Sequence, residues 1–121
     1  MNIAKMLDEI KTHPDFEKVG MILCHNGVVR ATARDGREVK GLKVTVDHAK
    51  LEQLIIEQSQ KPGIVDIQVN IVENKNLAVG DDIMHLMVAG DIRENVIAVL
   101  TDTLNLIKST VTSKTEYFYK S

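Results

Sequence analysis

The first ten residues carry apolar side chains at helical spacing, with polar and charged residues between them. Four apolar positions fall on one helix face, namely Ile3, Met6, Leu7 and Ile10. The pattern ends at His13-Pro14, because the residue before a proline disfavours the helical region. A short N-terminal helix is therefore predicted.

Two stretches of β-branched and apolar residues follow, at positions 19–32 and 39–46. The first is interrupted at residues 25–27 by His-Asn-Gly, which is typical of a bulge or a bend. Between the stretches, residues 33–36 read Ala-Arg-Asp-Gly, a turn signal, since the glycine accepts a positive φ. The pattern predicts two strands joined as a hairpin.

The middle of the chain predicts one helix and two further strands. Asp47 is a suitable N-cap for a helix that runs to about Gln60, where Lys-Pro-Gly ends it. Residues 64–72 alternate between apolar and polar positions, as a strand with one solvated face does. A turn at residues 79–82 leads into an apolar strand at 83–89.

The longest helix is predicted near the end of the chain. It begins at a sequence with the form of a capping box, with Asp91 in place of the usual serine or threonine and Glu94 at the fourth position, and it runs to about Thr110. Its apolar stripe, which must pack on a sheet, comprises Ile92, Val96, Val99, Leu100, Thr103, Leu104 and Ile107. Residues 114–119 alternate as a possible edge strand would.

The order of these elements indicates an α+β fold, in which helices cover one face of a mainly antiparallel sheet. With 121 residues, the chain fits a single domain over residues 1–121, large enough for a core of its own. Cys24 is the only cysteine, so no internal disulfide can form, and its apolar neighbours predict a buried thiol on a strand.

The charge balance argues against nucleic acid as a partner. Lys and Arg number 15 against 17 Asp and Glu, so there is no excess of positive charge to bind a phosphate backbone. The longest apolar runs are about six residues, far short of the ~20 that span a bilayer, and the first residues lack the pattern of an export signal. We therefore expect no nucleic acid, no membrane and a cytoplasmic location.

Motifs that carry chemistry by themselves are lacking. The four histidines, at positions 13, 25, 48 and 85, have no metal-ligand spacing, and there is no glycine-rich phosphate loop. The pair Asp81-Asp82 follows a glycine and is better explained by a turn than by paired catalytic carboxylates. We expect no metal and no cofactor.

Isolated cations remain as candidate functional residues. Arg30 ends an apolar strand, Arg93 lies in the first turn of the last helix, and Lys108 lies in its final turn. The helix dipole favours Lys108 there but disfavours Arg93 unless an anion is bound. Their spacing corresponds to ~22 Å along a helix axis, so the two can share one small ligand only between two copies of the chain. Otherwise they are unrelated surface cations.

Five short segments carry a resemblance to a known family. They are Gly27-Val-Val-Arg30, Val79-Gly-Asp-Asp82, Ile92-Arg93, Ile107-Lys108 and Ser113-Lys-Thr-Glu116. In their order and spacing, over about residues 19–116, the chain resembles the large, catalytic subunit of molybdopterin synthase. The resemblance implies an alpha/beta-hammerhead-like fold and a homodimer.

The resemblance also implies a reaction. The family transfers sulfur from the thiocarboxylated C-terminal glycine of a small ubiquitin-like subunit to cyclic pyranopterin monophosphate, which gives molybdopterin. Arg30 and Arg93 would hold the phosphate and the pterin, with Arg93 reaching in from the neighbouring subunit. Lys108 and Lys114 would be the catalytic residues, one of them assisting proton transfer or forming a transient covalent link to the substrate.

Several positions depart from the family pattern. Ile92 replaces a histidine, His25 replaces an aromatic residue, and Thr112-Ser113 replaces Pro-x-Trp with one residue fewer. The polar Asn-His-Asn after the strand arginine is Ala-Thr-Ala at residues 31–33, and the chain stops soon after Glu116 without the family's tail. The alternative function is therefore that of a non-catalytic paralogue, a homodimeric binding or assembly module.

Overall fold

The computed structural model describes residues 2–119, which contain the predicted helices and strands and one additional short strand. The helices are α1 (Ile3–Lys11), α2 (His48–Ser59) and α3 (Arg93–Leu106), with a 3-10 turn at Phe16–Lys18 and a π-helical turn at Ile107–Val111. The strands are β1 (Met21–Val28), β2 (Val39–Val46), β3 (Ile64–Ile71), β4 (Leu77–Ala78), β5 (Asp82–Gly90) and β6 (Thr112–Phe118). Within residues 2–119, no helix combines the length and the apolar character that crossing a bilayer requires.

The first sheet has the order β1-β5-β3, and its central strand β5 is antiparallel to both neighbours. Alternate residues of β5 face opposite sides of the sheet. Leu86 and Val88 pack with α2 and α3, whereas Met87 and Ala89 pack with α1. Helices thus cover both faces of this sheet, not the one face that was predicted.

The second sheet has the order β4-β2-β6 and encloses a smaller core of its own. Leu42 and Val44 of β2 pack there against Val29, which follows β1, and Leu77 of β4. The predicted last strand is confirmed as β6, which pairs antiparallel with β2. Since only one π-helical turn separates α3 from β6, the chain passes from α3 directly into the second sheet.

The hairpin predicted between β1 and β2 is wrong. β1 pairs with β5 and β2 pairs with β4 and β6, so the two strands belong to different sheets. The predicted turn does form, with Gly36 at φ 90° and its N–H bonded to the Ala33 carbonyl. It is flanked by an isolated antiparallel bridge between Thr32 and Glu38, which belong to neither strand. Alternation predicts that a segment is extended, but it does not specify the pairing strand.

The capping box predicted at residues 91–94 is also wrong. The N-cap of α3 is Ile92, and Asp91 Oδ1 instead accepts hydrogen bonds from Ile92 N at 2.7 Å and Asn95 Nδ2 at 2.9 Å. Asp91 was predicted to be the N-cap but lies one residue before it, and its hydrogen bonds hold the chain where it enters α3. At the start of α2 the prediction is confirmed, because Asp47 Oδ1 accepts from Lys50 N at 3.1 Å.

Cys24 was predicted to be buried, and the structure contradicts this. It lies opposite Met87 on β1, an edge strand of the first sheet, and is exposed. The apolar neighbours in sequence, Ile22 and Leu23, are covered by the two opposite layers of the core, but α1 does not extend over Cys24. Partial burial nonetheless raises the pKa of the thiol.

Candidate functional site

A cleft of about 350 Å³ lies where the end of β1, the π-helical turn and β6 meet. Its charged and titratable lining residues are His25, Arg30, Arg34, Lys108, Lys114 and Glu116. We call it the cationic cleft, because two arginines and two lysines in it face one carboxylate. Three of the four predicted site residues, Arg30, Lys108 and Lys114, are thus brought together, although they lie after β1, in the π-helical turn and on β6 respectively.

Arg30 is positioned by the backbone immediately before it. Val29 is buried, its N–H donates to the Asp81 carbonyl and its own carbonyl accepts from Gly80 N, both at 2.9 Å. The Arg30 Nε then donates to the Thr32 carbonyl at 2.7 Å. This bond fixes the guanidinium through one nitrogen, so that the two terminal nitrogens remain as donors that match a carboxylate or phosphate.

Lys108 projects from the π-helical turn that follows α3. Ile107 and Val111 at the two ends of the turn are buried in the main core, which holds the segment in place. The Thr110 hydroxyl donates to the Leu106 carbonyl, and the Ile107 carbonyl accepts from both the N–H and the hydroxyl of Thr112. Side chains therefore add to the backbone hydrogen bonds that hold the turn. Such π-helical turns occur frequently at functional sites.

Lys114 and Glu116 lie two residues apart on β6 and therefore share one face of the strand. They are paired in register with Val44 and Leu42 of β2, and Lys114 Nζ lies 3.8 Å from Glu116 Oε1. The carboxylate is the more buried partner, with 26% of its side chain exposed against 53% for the lysine. Glu116 thus partly offsets the positive charge of the cleft without a hydrogen bond to Lys114.

His25 faces the same cleft from β1. A Cβ at Gly27 would lie 3.4 Å from His25 Nε2, so the ring extends along the strand over a residue that has no side chain. Partial burial lowers the pKa of His25, and the positive charge of Lys108 lowers it further. The imidazole is therefore mostly neutral at neutral pH while the cleft is empty.

Arg93, the fourth predicted site residue, does not line this cleft. It lies with Gly20, Met21 and Ile92 in a separate shallow pocket at the opposite end of α3, and its side chain is well exposed. Its Nε is 3.5 Å from Glu94 Oε1. Within one chain the structure therefore keeps Arg93 apart from Lys108, as the length of the helix requires.

The sequence profile of the MoaE protein family matches residues 1–110. The chain belongs to this family. No curated protein matches the chain by sequence. The profile match confirms the resemblance to this family and covers four of the five segments, since Ser113–Glu116 lies beyond residue 110. Membership of the family supports a role in molybdenum cofactor biosynthesis.

Solved structures with the same fold are similar to the MoaE-family chain over most of its length. A molybdopterin synthase from Staphylococcus aureus aligns with TM-score 0.72 and 21% identity, over 87% of this chain and 79% of the other. A molybdopterin biosynthesis MoaE protein from Burkholderia ambifaria gives TM-score 0.75 and 17% identity, over 98% and 81%. A complex of subunits 1 and 2 of molybdopterin-converting factor from Helicobacter pylori gives 0.71 and 14%, over 100% and 82%. The α+β fold class is confirmed.

Three charged or titratable residues of the cationic cleft, His25, Arg34 and Glu116, were not among the predicted site residues of this MoaE-family chain. Glu116 was detectable, since a strand places it on the same face as Lys114. Arg34 was not, because it lies in the turn at residues 33–36 and nothing in its spacing points toward the other cations. Among residues 2–119, no three metal-binding side chains are grouped together.

Proposed function

We propose that this chain is a molybdopterin synthase-type sulfurtransferase. It would take sulfur from the thiocarboxylated C-terminal glycine of a small ubiquitin-like subunit and transfer it to cyclic pyranopterin monophosphate, giving molybdopterin. The observation that carries the proposal is the meeting of Arg30, Lys108 and Lys114 in one cleft of a MoaE-family chain. These three residues belong to three of the segments on which the resemblance rests.

The substrate-binding part of the proposal rests on charge and size. A volume of about 350 Å³ falls at the lower end of the range of small-molecule sites. Arg30, held through its Nε, presents the fork that suits a phosphate anion, and Arg34 lies in the same lining. The pterin phosphate would therefore bind with its anionic end toward Arg30.

Lys108 and Lys114 are the proposed catalytic residues. A lysine that forms a covalent link to a substrate, or removes a proton from it, reacts as the neutral amine. Lys108 sits on the fixed π-helical turn, whereas Lys114 is held near Glu116 on β6. We assign the covalent or proton-transfer role to one of the two and contact with the partner's C-terminal tail to the other.

The proposed partners are a small sulfur-carrier subunit and a second copy of this chain. The similar Helicobacter pylori structure is a complex of two subunits of molybdopterin-converting factor, which supports the first. The second follows from Arg93, which can serve the cationic cleft only from a neighbouring copy. Ile92, next to Arg93 in sequence, and Ile97, one helical turn further on, are exposed and suit such a contact. We place the reaction in the cytoplasm.

The test is conversion of the pyranopterin precursor by purified chain with a thiocarboxylated small subunit. We expect product with the wild-type chain, and a loss of at least about 100-fold in turnover for Lys108→Ala or Lys114→Ala. Lys50→Ala, an exposed lysine on α2, is the matched control and should keep wild-type turnover. Wild-type rates in both cleft variants would exclude a catalytic lysine.

One observation favours a second candidate function, a non-catalytic homodimeric binding or assembly module. Ile92 stands where the resembled family has a histidine, and it is 53% exposed, so an exposed apolar side chain lies next to Arg93 in sequence in place of that imidazole. Absence of product from a folded chain that still binds the small subunit would favour this function over the enzyme.

A further inference from the structure

His25 is the residue of the cationic cleft whose presence the proposed reaction does not account for. The resembled family has an aromatic residue at this position, and an aromatic ring there would give the cleft an apolar wall. An imidazole keeps the ring shape but adds a nitrogen that can be protonated near neutral pH. The chemistry of the wall therefore differs from that of the family pattern.

The strand geometry directs His25 into the cleft. Leu23, His25 and Gly27 share one face of β1, and Leu23 on that face packs in the core formed with α2 and α3. His25 comes next along the strand and is only half-buried, at the point where this core gives way to the cleft. The bare Gly27 leaves room for Nε2 to extend toward Arg30 along the strand.

The charges around His25 are mostly positive. Arg30 and Arg34 follow its own strand, Lys108 faces it from the π-helical turn, and β6 contributes Lys114 and Glu116. The lining residues of β5, Ile83 and Met84, carry no charge. Asp82 at the start of β5 instead interacts with the side chains of Asn26 and His85. In the empty cleft, protonation of His25 is thus opposed by its neighbours.

We infer that His25 is an additional ligand of the anion in this cleft and that it binds the anion as an imidazolium. The inference rests on the proposed function only for the position of the anion. The proton comes from solvent, and no covalent bond is formed or broken: a hydrogen bond from the imidazolium to an anion oxygen is added to those from Arg30 and its neighbouring cations. Binding of the anion therefore takes up at most one proton, depending on how much of His25 is neutral before binding.

The sign of the pH dependence follows from linkage. Burial and Lys108 lower the pKa of His25 in the free cleft, and a bound anion beside the ring raises it again. A group whose pKa is higher in the bound state makes binding tighter as the pH falls toward the pKa of the free state. The anion should thus bind more tightly at mildly acidic pH than above neutrality.

The probe for the test is sulfate, because phosphate itself titrates in the same range. Calorimetry on the full-length wild-type chain should show the dissociation constant for sulfate falling about tenfold between about pH 7.5 and about pH 5.5. His25→Phe, which restores an aromatic ring, should bind sulfate with a dissociation constant that changes less than about twofold over that range. His48→Phe, at an exposed histidine bonded to Glu73, is the matched control and should behave as wild type.

A second measurement does not depend on any variant's folding. The ring proton resonances of His25, followed by NMR in the wild-type chain, should titrate at higher pH with sulfate than without it. Sulfate should leave the ring proton resonances of His13 unchanged. An unchanged His25 titration, or a pH dependence that His25→Phe retains in full, would overturn the inference. So would sulfate binding that is indifferent to Arg30→Ala. The outcomes for His25 do not bear on sulfur transfer, which the turnover experiment tests separately, whereas indifference to Arg30→Ala would also contradict the proposed phosphate site.

Discussion

At the scale of single residues, one acidic side chain partly offsets the positive charge of the cationic cleft. Among the described residues that line it, Glu116 is the one carboxylate, and it faces two arginines and two lysines. Its distance of 3.8 Å from Lys114, with the lysine half-exposed, makes the pair a weak contributor to folding stability. The main effect of Glu116 should therefore be on what the cleft binds.

Replacing Glu116 by glutamine tests this effect. Glu116→Gln keeps the shape of the side chain but removes a negative charge that repels an incoming anion, so sulfate should bind about three- to tenfold more tightly. Glu52→Gln, at an exposed position on α2, serves as the control and should leave sulfate binding unchanged. Calorimetry at constant ionic strength is the measurement, and weaker binding by Glu116→Gln would contradict the proposed role of Glu116.

At the scale of helices and strands, local rules predicted the elements but not their partners. The N-cap Asp47, the apolar stripe of α3 from Val96 onward and the alternation of β6 are properties of neighbouring residues, and these predictions were confirmed. Ile92, which was predicted to begin the stripe, is instead the N-cap of α3 and is 53% exposed. The pairing of β1 with β5 joins residues about sixty positions apart, and no local pattern encodes it. Because local patterns do not specify pairing, the predicted hairpin was wrong. β4 was not predicted because a strand of two residues is too short to show alternation.

One contact between helices shows how a polar group can join two predicted elements. Buried Gln58 of α2 donates to Thr103 Oγ1 at 2.9 Å and to Asp102 Oδ2 at 3.0 Å on α3, and Lys61 Nζ bonds the same carboxylate at 2.7 Å. The hydrogen bond from Lys61, followed by that from Gln58, lowers the pKa of Asp102. The α2–α3 contact should thus be sensitive to acid.

Asp102→Asn measures that sensitivity. Because the pKa of Asp102 is lower in the folded state, its contribution is present above the unfolded pKa and is lost as the pH falls through the folded one. The variant should lose at most about 1 kcal/mol near neutral pH, since the Lys61–Asp102 pair is nearly half-exposed, and the difference from wild type should shrink below about pH 4. Urea unfolding across pH is the measurement. Asp8→Asn, on the exposed side of α1, should show no such convergence.

At the scale of the whole molecule, the fold brings together residues that were predicted from the sequence only as separate candidates. Arg30, Lys108 and Lys114 were chosen as isolated cations and by resemblance, and their common cleft arises only because β6 follows α3 into the second sheet beside the end of β1. Arg93 shows the opposite outcome, since the rigid length of α3 keeps it at the far end. A role for Arg93 in the same reaction therefore requires a second chain.

Mixing two inactive variants tests that requirement. If Arg93 serves the neighbour's cleft, a mixed dimer of Arg93→Ala and Lys108→Ala chains contains one site with both residues intact and one site with neither. Random assembly of equal amounts should then restore about a quarter of wild-type turnover, because half of the dimers are mixed and one of the two sites in each mixed dimer is intact. Mixing Lys108→Ala with Lys114→Ala is the control: these residues line one cleft of one chain, so no mixed dimer contains an intact site. Restoration in the control alone, or in neither mixture, would show that Arg93 does not act across a subunit interface.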